Sequence, residues 1–138
     1  MSAVTRQSRT DDLRCARTAA QALRIAFPQL EQLRIELSFV DPSSISPVSQ
    51  VHTLYPAARA FFTYRCPHSD CTGEFNLADI VGTAVRGTRE AHGSLPCTGA
   101  RPGENGTKRA CELRLTYAIT TRLSGSAGIP GPKAGTAA

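Results

Sequence analysis

Residues 63–73 read Thr63-Tyr-Arg-Cys66-Pro-His-Ser-Asp-Cys71-Thr-Gly73. Two thiols frame four residues that include Pro and Asp, the composition of a tight turn. Downstream, Cys97-Thr-Gly99 repeats the Cys71-Thr-Gly73 pattern. Cys111 then follows a polar stretch in which Pro102-Gly103 and Asn105-Gly106 mark turns, an extended loop or hairpin tip. Four of the five cysteines therefore fall in two pairs, each pair closing a turn.

The residues around the pairs supply the frame. Ala58–Arg65 reads as a strand, with Ala60, Phe62 and Tyr64 on one face and Arg59, Phe61, Thr63 and Arg65 on the other. It ends at Cys66. Leu113, Leu115, Tyr117 and Ile119 alternate with polar residues, which predicts another strand beginning after Cys111. Leu33, Ile35, Leu37 and Phe39 give the clearest alternation in the chain. Val48–Pro56 reads as a short irregular strand at most. If the strands beside Cys66 and Cys111 are antiparallel neighbours, all four thiols meet at one end of the sheet.

Helices are expected at two places. Thr10 is a candidate cap, followed by Asp11 and Asp12 and by an apolar stripe of Leu13, Ala16, Ala20, Leu23 and Phe27 that Pro28 ends. Cys15 lies off this stripe and reads as a partly buried small apolar residue. Asn76, with Asp79 three residues on, opens a second helix whose stripe is Leu77, Ile80, Val81, Ala84 and Val85. Gly93 is a plausible end of it. The expected fold class is α+β in the order helix-strand-strand-helix-strand. It is a small antiparallel sheet of about three strands with two helices on one face, clamped at one sheet end. One domain over 10–123 suits the length of 138 residues. Residues 1–9 and 124–138 read as a mobile and a disordered tail.

Zinc is the chemistry that this thiol pattern fits. The ion takes four soft ligands in a tetrahedron, and four protein ligands close the site, which marks a structural role. Cys66, Cys71, Cys97 and Cys111 are the expected ligands of one structural zinc ion. Disulfides and unligated thiols are the alternatives. His68, inside the first pair, and His92, before Cys97, could each replace a cysteine. On these four cysteines the stretch Tyr64–Leu115 resembles zinc-ribbon and related treble-clef zinc fingers in general. It departs from them in the wide second pair and in the helix between the pairs. The resemblance implies a zinc-clamped fold and carries no particular activity.

Other chemistry lacks its motif. Pro96-Cys97 is followed by Thr-Gly-Ala and His92 by Gly-Ser, so the zinc-deaminase signature fails. There is no C-x-x-C, H-E-x-x-H, G-x-S-x-G or Walker A. An enzyme is not expected. The first 12 residues lack an apolar signal region, so the cytoplasm is the expected compartment, where thiols stay reduced.

The formal charge of +5 comes from 16 basic and 11 acidic residues, with 14 Arg against two Lys. A GC-rich genome encodes such a bias. Arg6, Arg9 and Lys133 lie outside 10–123, so the core is close to balanced. Any basic surface must come from segregation of charge. Two functions follow as expectations. One is a non-enzymatic accessory module that binds a protein partner. The other is a zinc-stabilised nucleic-acid-binding module, in which Arg34, Arg59, Phe61, Arg65, Arg114 and Arg122 form an Arg-rich sheet face. No membrane span is expected.

Overall fold

The architecture comes from a computed structural model that describes residues 6–42 and 46–124. In chain order the elements are α1 (Arg6–Ala19), α2 (Leu23–Ala26), β1 (Leu30–Val40), β2 (Val48–Leu54), β3 (Thr63–Arg65) and β4 (Glu74–Asn76). Then come α3 (Ala78–Thr83), β5 (Glu90–Pro96), β6 (Ala100–Pro102), β7 (Lys108–Ala110) and β8 (Arg114–Leu123). The class is α+β with antiparallel pairing throughout, as expected.

The main sheet has four strands in the order β2-β1-β8-β5. Its spine is the long β1–β8 pair, with Ile35 opposite Ile119, Leu37 opposite Tyr117 and Phe39 opposite Leu115. Period-two alternation puts Leu33, Ile35, Leu37, Phe39, Leu115 and Ile119 on one buried face. Leu23 of α2 and Val81, with Ala84 and Val85 just beyond α3, pack into the same core. The opposite face is uncovered among the described residues. One row across it reads Ser49, Ser38, Thr116, Ser94, and the next Val51, Glu36, Ala118, His92.

Several expectations give way here. The expected strand 58–65 does not join the sheet. Only Thr63–Arg65 is a strand, and it pairs with β4 in a separate hairpin. Cys66 and Cys111 therefore do not adjoin neighbouring strands. The segment before β3 instead runs along the link between α1 and α2. Leu23 N–H donates to the Ala58 carbonyl (2.7 Å), Arg24 N–H to Pro56 (3.0 Å) and Ala60 N–H to Gln21 (2.9 Å). Those bonds satisfy the open N-terminal donors of α2 and break the single helix expected over 10–27. Ala16 is consequently exposed while Leu13 and Leu23 are buried. Cys15 is exposed, not partly buried. Thr10 lies inside α1, which starts four residues earlier, within the expected tail. Residues 1–5 and 125–138 lie outside the described residues.

The second half is richer in strands than expected. Asn76 closes β4 and Leu77, not Asn76, is the N-cap of α3, so the expected capping box does not form. Asn76 Oδ1 accepts the Ala78 N–H at 2.9 Å from one residue further back. After Thr83 one wide turn, Ala84–Thr88, ends the helix, and Arg89 takes a left-handed conformation (φ 68°) that reverses the chain. The chain then forms β5, a full edge strand of the sheet. Gly93 lies in β5, not at a helix end. A Cβ there would meet Tyr117 Oη at 2.8 Å, so the glycine admits the phenol ring across the edge strand. β2 is likewise a regular strand paired along its length with β1.

Candidate metal centre

The cysteines stand on two small hairpins. Cys66 and Cys71 lie in the connection between β3 and β4, held by Cys66 N–H to Gly73 (3.0 Å) and Cys71 N–H to His68 (3.2 Å). Cys97 follows β5, and Cys111 precedes β8. Between them β6 and β7 pair, with Ala100 opposite Ala110. Cys97 N–H donates to Leu113 (2.9 Å) and Cys111 N–H to Gly99 (3.1 Å), closing the base of this hairpin. Thr72 joins the two hairpins. Its N–H donates to the Ala100 carbonyl (3.3 Å), and its hydroxyl accepts the Ala100 N–H (3.1 Å).

All four Sγ atoms lie within 4.8 Å of one another, and all four residues are buried. Cys66 Sγ is 3.9 Å from Cys111 Sγ, and Cys71 Sγ is 3.6 Å from Cys97 Sγ. A tetrahedron with zinc–sulfur bonds of about 2.3 Å has edges of about 3.8 Å. The thiols thus sit at the spacing of a metal-ligand shell. A disulfide needs sulfurs at about 2.05 Å, which neither pair approaches.

Backbone amides face the sulfurs. Gly73 N–H points to Cys71 Sγ (3.3 Å) and Gly99 N–H to Cys97 Sγ (3.4 Å). The His68 N–H serves Cys66 in the same way. This is the physical content of the repeated Cys-Thr-Gly sequence. A Cβ on Gly99 would fall 2.2 Å from Gly73 N, and one on Gly73 would fall 2.3 Å from Cys97 Sγ. The two glycines pack against each other, so neither admits a side chain.

Burial pushes the Cys66 thiol up, and it raises Cys97 to about 11. Burial also opposes ionisation of Cys71. There the Gly73 amide and the neighbouring thiols outweigh it, and the net shift is downward. A dication among the sulfurs reverses the cost of burial, because it holds the ligands as thiolates.

No family model, curated protein or solved structure matches the chain. His68 does not turn to the sulfurs. Its Nε2 pairs with the buried Asp41 carboxylate at 2.6 Å. Arg101 of β6 binds Asp70 at 2.8 Å and approaches Asp41 at 3.7 Å. Asp41, at the end of β1, thus anchors both hairpins to the sheet. Neither Asp41 nor Arg101 stood out in the sequence, because nothing local marks a carboxylate that becomes buried by distant loops. His92 is exposed on β5, facing away with Ala118, and takes no part.

The expected Arg-rich sheet face is divided. Arg34, Arg114 and Arg122 lie on the uncovered face of the sheet, where Arg34 pairs with Glu36 (3.1 Å) and Arg122 with Glu31 (3.5 Å). Arg59, Phe61 and Arg65 lie elsewhere, in a cleft against α1 and β2. Tyr64, expected on the opposite face, lines the same cleft, so the segment does not keep the strict two-faced alternation of a strand.

Proposed function

We propose that this protein is a non-enzymatic interaction module whose four cysteines hold one structural zinc ion. The observation that carries the reading is the buried set of Cys66, Cys71, Cys97 and Cys111 at near-tetrahedral spacing. Four protein sulfurs leave no open coordination position, which favours structure over catalysis. Reduced thiols suit the cytoplasm. Among the described residues no helix is long and apolar enough to cross a membrane. Metal analysis of purified protein should find about one zinc per chain. Cys66→Ser and Cys111→Ser should lose the metal, while Cys15→Ser should keep it. A zinc-free folded protein would defeat the reading.

A protein partner is supported by the edge strand β2. Val48 and Val51 are exposed there, and among the described residues the strand's outer edge borders no other strand of the sheet. An added strand would meet its backbone groups. Recovery of a stoichiometric, nuclease-insensitive partner that Val51→Asp abolishes is the expected result. The nucleic-acid alternative finds no single Arg-rich sheet face, since the face it needs carries both signs of charge.

A further inference from the structure

Between α1, β2 and the chain from Arg59 to Pro67 lies a cleft of about 730 Å³. Its lining includes Arg14, Arg17, Arg59 and Arg65 and contains no Asp or Glu. The residues outside the described ranges contain no Asp or Glu either, so no acidic side chain is available from them to neutralise it. A nearly balanced core has therefore gathered four guanidinium groups in one concave place.

Two of these arginines, Arg17 and Arg59, are held by neutral groups, and a third has one among its partners. Arg65 donates to Thr10 Oγ1 at 2.7 Å. Arg59 donates to the Ala20 carbonyl at 3.0 Å. Arg17 lies over the Phe61 ring, 5.1 Å from its centroid. Elsewhere arginines are oriented by carboxylates, as Arg34 is by Glu36 and Arg101 by Asp70. Neutral anchors fix direction without cancelling charge. Arg65 stands opposite Glu74 in the β3–β4 hairpin and Glu74 feels its charge, so Arg65 is partly compensated from outside the cleft. Arg14 has Asp11 within 3.5 Å, so it is the most compensated of the four. Burial, and secondarily the nearby Arg17 charge, hold His52 below its ordinary range.

Aromatic surface accompanies the charge. Phe61 forms one wall, and the His52 and Tyr64 rings lie together at 5.0 Å with planes 33° apart. A bare anion would use the guanidinium groups and ignore the rings. An acidic peptide would do much the same, and a flat membrane cannot enter a concave site. A phosphate joined to a flat base uses both features.

We propose that this cleft binds a nucleotide, its phosphate on Arg17 and Arg59 and its base against the aromatic wall. The ligand is either a free mononucleotide or one unit of a single-stranded nucleic acid. The proposal goes beyond the metal and the protein partner and depends on neither one's identity.

The test uses the full chain as purified, with a fluorescent oligothymidylate, ATP, inorganic phosphate and polyglutamate as probes at low salt. Binding by the oligothymidylate or by ATP upholds the proposal, and the tighter of the two identifies the source. For the strand, log K should fall with log salt at a slope of about −1.4 if two phosphates are neutralised. Arg17→Gln and Arg59→Gln should each weaken binding by about ten-fold, as expected for loss of a charged hydrogen bond. Arg34→Gln and Arg122→Gln should not change it. Unchanged metal content and circular dichroism would show that the variants fold. No binding by either nucleotide probe overturns the proposal. So does polyglutamate or phosphate binding as tightly as the nucleotides, or full affinity in folded Arg17→Gln and Arg59→Gln.

Discussion

The four-stranded sheet and the cysteine end are built on different principles. β1 has 11 residues and β8 has 10, and their pairing buries a continuous apolar face. The hairpins at the other end use strands of three residues each. Isolated two-stranded hairpins of that size are marginal in water. Phe75 packs on Phe39 at 5.8 Å and ties one hairpin to the core. β6 and β7 offer little of this kind, and every residue of β7 is exposed. One region is explained by burial. The other calls for a cross-link, and among the described residues the clustered groups suited to supply one are the thiols.

Removing the proposed zinc ion is the most severe way to break this contrast. Structural zinc supplies about 10–16 kcal/mol of apparent binding free energy in small zinc fingers. Chelation, or Cys71→Ser, should release the hairpins. Amide exchange at Thr72, Ala100 and Cys111 should then speed up strongly, while Ile35 and Ile119 keep much of their protection. Equal loss in both places would show that the two regions form one cooperative unit.

Leu37→Ala strikes the other side. Leu37 is fully buried in the sheet core, and such truncations cost about 2–5 kcal/mol. Chemical denaturation should show that loss while zinc stoichiometry stays at about one. A fall in stoichiometry would mean that the sheet core sets the thiol geometry.

The same contrast explains what was legible in the sequence. β1 and β8 could be read because each alternates large apolar and polar residues over many positions. The four thiols could be read because cysteine is rare and its chemistry narrow. β5 could not, because its inward residues are Ala91, Gly93 and Leu95, two of them small. The break between α1 and α2 was hidden for a different reason. It is made by hydrogen bonds to Pro56 and Ala58, more than 30 residues away in sequence. The Asp41–His68–Arg101 network is hidden in the same way. The cleft was half visible. Arg59, Phe61 and Arg65 were grouped by alternation, but only the fold adds Arg17 and removes Arg34, Arg114 and Arg122.

Gly99→Ala tests whether the cysteine end is as tightly built as its backbone contacts imply. The new Cβ would sit 2.2 Å from Gly73 N and 2.5 Å from Gly73 Cα. Backbone cannot rotate away as a side chain can, so the hairpins must part. The expected cost is about 1–3 kcal/mol, as for overpacking, with weaker zinc binding. Gly87→Ala, where nothing lies within 4 Å, should be harmless by comparison. Equal behaviour of the two variants would show that the hairpins can separate without loss.

The smallest expected effect concerns the tie between α1 and the cysteine end. Arg9 bridges Glu74 of β4, with Nη2 to Oε1 at 2.8 Å. The hydrogen bond from Arg9 is the main reason that the Glu74 acid is held below its ordinary value of 4.5. A depressed folded value means that the ionised form is favoured by folding. The contribution is therefore full above the unfolded value and is lost as pH falls through the folded one. Glu74→Gln should lower the denaturation midpoint slightly at about pH 7 and not at about pH 3. Acid would also protonate zinc-bound thiolates and release the proposed ion, but that loss is common to both proteins. The difference between them at each pH isolates the carboxylate. Both side chains reach solvent, so screening keeps the effect well below that of Gly99→Ala, and added salt should shrink it further. A difference that persisted unchanged into acid would show that Glu74 acts by packing and not by charge.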